Sequence, residues 1–112
     1  MIQSSRTRRT ILRDRARTNR ATARITRRGA GTLATHCIAA GLRPRAARSV
    51  AGTLRKTAAE LAVTGTPGIS YTKGRARTCT RYTRTQVAQI AIAYRPRKPA
   101  YKIARVRLTL AA

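Results

Sequence analysis

The chain has 112 residues, with 26 Lys and Arg against 2 Asp and Glu, a formal net charge of +24, and neither Trp nor Phe. That length suits one domain, and an apolar content made mostly of Ala allows only a thin core, since burial gains about 25 cal/mol per Å². Self-repulsion on this scale points to a polyanionic partner, nucleic acid first, and no apolar run is long enough for a membrane span.

Residues 1–28 carry ten arginines, among them Arg6, Arg8, Arg9, Arg13, Arg15 and Arg17. Ser4 or Ser5 can cap a helix, and Ile11, Leu12, Ala16, Ala23 and Ile25 give it a narrow apolar edge. Cations at i,i+3 and i,i+4 spacing repel, so the expectation is a disordered basic arm through about Thr10 and a packed helix from about Ile11 to Arg28. Arg6, Arg8 and Arg9 are the arm's candidates for lying along phosphates or entering a minor groove. The start of the chain has the composition of a transit peptide, but so does the rest of it, which leaves the feature without discriminating power.

Residues 29–65 form the best-patterned stretch. Gly29-Ala30-Gly31 breaks the first helix, and Thr32 can cap a short second one. Gly41 then makes a tight turn, and Pro44 opens a longer helix at a position where its missing N–H costs nothing. This is the outline of a helix-turn-helix. Ala47, Val50, Ala51, Leu54, Ala58, Leu61 and Ala62 make an apolar stripe, while Arg45, Arg48, Ser49, Gly52, Arg55 and Lys56 fall elsewhere on the helix. Gly52, in mid-helix, costs about 1 kcal/mol against Ala, which suggests a place where something approaches closely. Gly65, Pro67 and Gly68 end the helix.

Residues 66–112 change character. Ile69–Thr72 and Arg75–Tyr82 alternate around Lys73-Gly74 and read as a β-hairpin, with an irregular basic loop as the alternative. A hairpin following the Pro44 helix can serve as a wing, with Lys73, Arg75 and Arg77 at its tip. Thr83 with Gln86 spells a capping box, and Val87, Ile90, Ala91 and Tyr94 recur at helical spacing, which predicts a helix from about Arg84 to Tyr94, with a strand through Ala88, Ile90, Ile92 and Tyr94 as the competing reading. The run from Tyr101 to Leu110 alternates like a strand, yet Pro99 is a good first residue of a helix. Arg95, Arg97, Lys98 and Lys102 form a further basic cluster.

Ala39-Ala40-Gly41-Leu42, followed by an Arg-rich helix containing Val50, resembles the turn and recognition helix of helix-turn-helix DNA-binding proteins. Arg81-Tyr82-Thr83, Tyr94-Arg95-Pro96-Arg97-Lys98-Pro99 and Tyr101 resemble the tail of small basic helix-turn-helix proteins carried by phages and plasmids of high-GC bacteria. Cys37 and Ala47 depart from that pattern, standing where Ala and a larger aliphatic residue are usual. The resemblance implies a helical C-terminus and a mainly α fold: a helix-turn-helix, a short β-hairpin as a wing, and a basic N-terminal arm. The expected parts of this single domain are 1–28, 29–65 and 66–112.

The implied function is duplex DNA binding, as in a phage or plasmid transcriptional regulator. Arg43, Arg45, Arg48 and Ser49 would face base edges, with Gly52 beside them and Arg55 and Lys56 on phosphates. Such proteins often dimerise to read two half-sites, so a homodimer is one expected form. The alternative is an RNA-binding or ribosome-associated protein, against which stands the scarcity of aromatics: Tyr71, Tyr82, Tyr94 and Tyr101. A membrane-active cationic peptide lacks a sustained apolar face.

Cys37 and Cys79 suit reduced thiols in the cytoplasm, near the nucleoid, better than a secreted disulfide framework. No CxxC occurs and His36 is the single His, so neither a zinc site nor another cofactor is expected. His36 and Cys37 are neighbours whose side chains diverge on a helix, and they read as buried structural residues. Paired acids, a nucleophile with its base and a phosphate-cradling Gly loop are all missing from the pattern, and no enzyme is expected.

Overall fold

The computed structural model describes residues 4–111. In order, these form α1 (Ser5–Arg28), α2 (Leu33–Ala39), α3 (Pro44–Glu60), β1 (Thr66–Thr72), β2 (Arg75–Arg81), α4 (Arg84–Ala93) and α5 (Pro99–Leu110). The fold is mainly helical with one two-stranded antiparallel sheet. Its core lies among α2, α3, α4 and α5, where Cys37, Val50, Leu54, Val87 and Ile90 are sealed from solvent. Ala47, Ala51, Ala58, Ala91 and Ala104 fill the spaces between them, so the helices approach closely but bury little area per residue.

The N-terminal expectation needs correction. Arg6, Arg8 and Arg9 belong to α1 rather than to a disordered arm; residues 1–3 of that arm lie outside the described range. Ser4 caps the helix by accepting the Thr7 N–H at 3.2 Å, and the Thr10 hydroxyl donates to the Arg6 carbonyl at 3.0 Å. The helix is nucleated by its packed C-terminal half, so extension adds one hydrogen bond per residue and avoids the cost of starting a new turn. The apolar edge is also narrower than expected: only Ala21 and Ile25 are buried in α1, while Ile11, Leu12 and Ala23 are exposed. At 1.5 Å per residue α1 is about 36 Å long, and residues 5–9 at its start are all exposed.

Thr32 caps α2 through the Thr35 N–H, and Pro44 opens α3 at its first residue, both as the local sequence dictates. Between them Gly41 sits at φ 101, with the Arg107 guanidinium so close that a Cβ would meet Nη1 at 2.5 Å. Arg107 also donates to the Ala40 carbonyl at 3.0 Å, so α5 clamps this turn from behind. The apolar stripe of α3 stops at Ala58, however; Leu61 and Ala62 are exposed. The chain reverses there, with Ala62 at φ 56 and the Val63 N–H returning to the Ala58 carbonyl at 2.9 Å. This left-handed helix ending turns Leu61 and Ala62 away from the face that packs.

β1 and β2 pair from Thr66↔Arg81 to Thr72↔Arg75, which leaves Lys73-Gly74 as a two-residue loop with φ 52 and 75. Positive φ at both loop positions matches the natural twist of a hairpin. The strand starts three residues before Ile69 and takes in Pro67, which is tolerated because both strands of a two-stranded sheet are edges. Beyond the hairpin, Tyr82 and Gly31 exchange backbone hydrogen bonds of 2.7 and 3.0 Å, fastening its base to the α1–α2 link.

The Thr83–Gln86 capping box forms, and the Gln86 amide reaches the Thr64 carbonyl at 2.9 Å. The run from Tyr101 to Leu110 is helical. Ala104 and Leu108 face the core while Ile103, Val106 and Leu110 face solvent, and apolar residues on opposite sides of one helix mimic the alternation of a strand. Arg105 fixes α5 to α4 by donating to the Ala91 and Ile92 carbonyls, both at 2.9 Å.

Candidate nucleic-acid interface

The outward side of α3 carries most of the residues singled out from the sequence. At 100° per residue, Arg45, Ser49, Gly52 and Lys56 form a ridge opposite the buried Val50, Leu54 and Ala58. Arg48 and Arg55 run along one flank of that ridge, and all of these except half-buried Gly52 are exposed. Among the described residues nothing lies within 4 Å of a Cβ placed on Gly52, so none of them takes up the space that glycine leaves. The result is a shallow depression bounded by Ser49, Gly52, Thr53, Arg55, Lys56 and Ala59.

The guanidiniums at the start of α3 are partly engaged within the protein. Arg48 Nε donates to the Pro44 carbonyl of its own helix at 3.3 Å. Arg43, the residue before α3, holds Asp14 of α1 through Nε and Nη2 at 3.2 and 3.1 Å, yet its side chain remains 66% exposed. Both keep unused N–H groups, because a guanidinium carries five donors.

The hairpin places Lys73 in its turn, Arg75 opposite Thr72, and Arg77 opposite Ser70, all exposed. Arg75 and Arg77 share a face, as side chains two apart on a strand must. Arg55 of α3 and Thr78, Thr80 and Tyr82 of the hairpin side line one groove, so the flank of α3 and the hairpin border a common space. Arg6, Arg8 and Arg9 are exposed on the first turns of α1.

A basic cleft escaped the sequence reading. Arg24 and Arg28 of α1, Arg81 of β2, and the hydroxyl residues Thr32, Thr35 and Ser70 enclose about 370 Å³ between the end of α1 and the hairpin. The i,i+4 spacing of Arg24 and Arg28 was visible beforehand, but nothing local tells that Arg81 comes to face them.

His36 and Cys37 are buried, as their place on a short packed helix implies. The Nε2–H of His36 donates to the Tyr82 carbonyl at 2.7 Å, which joins α2 to the base of the hairpin. Burial lowers the His36 pKa below 6.5; the Tyr82 carbonyl pulls it upward and the Arg84 charge pushes it down again. Its imidazole is therefore neutral at physiological pH. Burial pushes the Cys37 thiol up to about 12, which keeps it protonated and unreactive. Both cysteines are free thiols. Among the described residues no group of three or more His, Cys, Asp or Glu could hold a metal ion, and no helix is long and apolar enough to cross a membrane.

No protein-family model matches this chain, and neither a curated protein nor a solved structure matches it.

Proposed function

We propose that the chain is a double-stranded DNA-binding protein in which α2 and α3 act as a helix-turn-helix and the hairpin as a wing, with transcriptional regulation as its role. The observation that carries this reading is the outward side of α3, where exposed Arg45, Arg48, Arg55 and Lys56 flank an opening at Gly52 and Glu60 is the one acidic residue. A helix of this diameter fits the major groove, where guanidinium groups can bond base edges in pairs. Arg45, Arg48 and Ser49 would meet the bases and Arg55 and Lys56 the phosphates, while Lys73, Arg75, Arg77 and the first turns of α1 hold flanking backbone.

The RNA reading is the weaker one. Base stacking needs accessible aromatic faces, and of the four tyrosines Tyr82 and Tyr94 are buried, Tyr101 is half-buried and Tyr71 alone is exposed. Competition between duplex DNA and structured RNA at physiological salt discriminates the two. The deciding experiment selects a preferred site from a random duplex library and compares Arg45→Ala/Arg48→Ala with the parent on that site and on random DNA. The expected loss on the selected site exceeds that on random DNA by about 1–3 kcal/mol per lost base contact. An equal loss on both means that these arginines only supply charge.

A further inference from the structure

We infer that Asp14 is a positioning residue: it holds Arg43 so that the free edge of that guanidinium is aimed at a guanine in the major groove. The inference rests on the reading of α3 as the helix that enters the groove. Asp14 is one of only two acidic residues among 26 cationic ones, and it lies on α1, far in sequence from the helix it serves. Its Oδ1 accepts from Arg17 Nη1 at 3.2 Å, while Oδ2 accepts from Arg43 Nε at 3.2 Å and forms an ion pair with Nη2 at 3.1 Å.

As a fastening this pair is poor. The Arg43 side chain is 66% exposed and that of Asp14 34%, and exposed ion pairs contribute little to folding. As an aiming device it is well made. Asp14 occupies the side of the guanidinium formed by Nε–H and one Nη2–H. The adjoining edge, with Nη1–H and the other Nη2–H, meets no partner among the described residues and presents two coplanar donors. Guanine offers two coplanar acceptors, N7 and O6, at matching separation. Fixing the long Arg side chain before contact also removes an ordering cost that an untethered arginine meets on binding.

The two effects of Asp14 on binding have opposite signs. Its charge repels phosphate and weakens attachment to any duplex, whereas its hold on Arg43 sharpens the choice of one base.

The test uses the full chain and its Asp14→Asn, Arg43→Ala and doubly substituted forms, measured by fluorescence anisotropy on the selected duplex, on that duplex with each guanine replaced in turn, and on random duplex. Asp14→Asn is expected to bind random duplex as tightly or a few-fold more tightly, yet to lose about tenfold of the preference for guanine at one position. Arg43→Ala should lose preference at the same position, and the double substitution should lose no more than Arg43→Ala alone. If Arg43→Ala abolishes that preference but Asp14→Asn retains it in full, the inference fails while the assignment of α3 stands. If Arg43→Ala changes no base preference, the role given to Arg43 is wrong and the inference falls with it. A drop in thermal midpoint with equal loss on every duplex identifies Asp14 as a mere staple between α1 and α3, which also overturns the inference.

Discussion

The bundle of α2 to α5 and the two elements at its margin, the first turns of α1 and the β1–β2 hairpin, draw on the same few residue types. In the bundle, Leu54 and Ile90 are at 0% exposure and their helices meet on several sides. In the projecting elements, Leu12 is 63% exposed and Tyr71 76% exposed, although each sits on regular secondary structure. Secondary structure in both regions follows from local capping and turn chemistry. Burial follows only where a second apolar face is available. The apolar interior of the bundle gives the molecule its fold; the projecting elements and the outer side of α3 hold their cations out to solvent.

Core substitution breaks that contrast most severely. Leu54→Ala should cost about 2–5 kcal/mol because it empties a site surrounded by α3, α4 and their neighbours. Leu12→Ala should change stability by less than about 0.5 kcal/mol. Urea unfolding followed by helical circular dichroism measures both. Similar losses would mean that the first half of α1 is packed after all.

A smaller effect is expected where the two regions meet. His36 ties α2 to the hairpin base in its neutral form, and its folded pKa lies below the unfolded value of 6.5. The unfolded chain therefore binds the proton more readily. The stabilisation is complete above 6.5 and is lost as pH falls through the depressed folded value. Urea midpoints should decline across that acid range, and His36→Gln should flatten the decline. A parent profile that is level there refutes the assignment.

The smallest effect separates the two sides of α3 itself. Gly52→Ala should stabilise the helix by about 0.5–1 kcal/mol, since the added methyl meets open space. The same methyl stands on the ridge that is proposed to meet the duplex, so binding to the selected site should weaken. Gain of stability without loss of affinity would show that nothing approaches Gly52.

Much of the fold was legible because its signals are short-range. Thr32, Pro44, Thr83 with Gln86, Pro99 and Lys73-Gly74 each act within four residues of themselves, and each begins or turns an element where the pattern indicated. The failures share a different cause. The first turns of α1 are helical because a distant half of the same helix is anchored, and Leu61 is exposed because the chain reverses at Ala62. Neither fact is written in the neighbouring residues. Of the candidate interface, the identity of the exposed cations on α3 was readable from periodicity. The cleft formed by Arg24, Arg28 and Arg81 was not.

By itself the sequence determined the overwhelming positive charge, the helical character and the places where helices start, since these depend on composition and on hydrogen bonds between near neighbours. Tertiary structure decided which arginines are engaged and which are free. Asp14 meets Arg43 because α1 packs on α2 and so comes near the turn that leads into α3, and Arg107 reaches the turn at Gly41 because α5 touches α2. A guanidinium's partners depend on distance in space, and that distance is set by how the thin alanine-lined core brings the helices together.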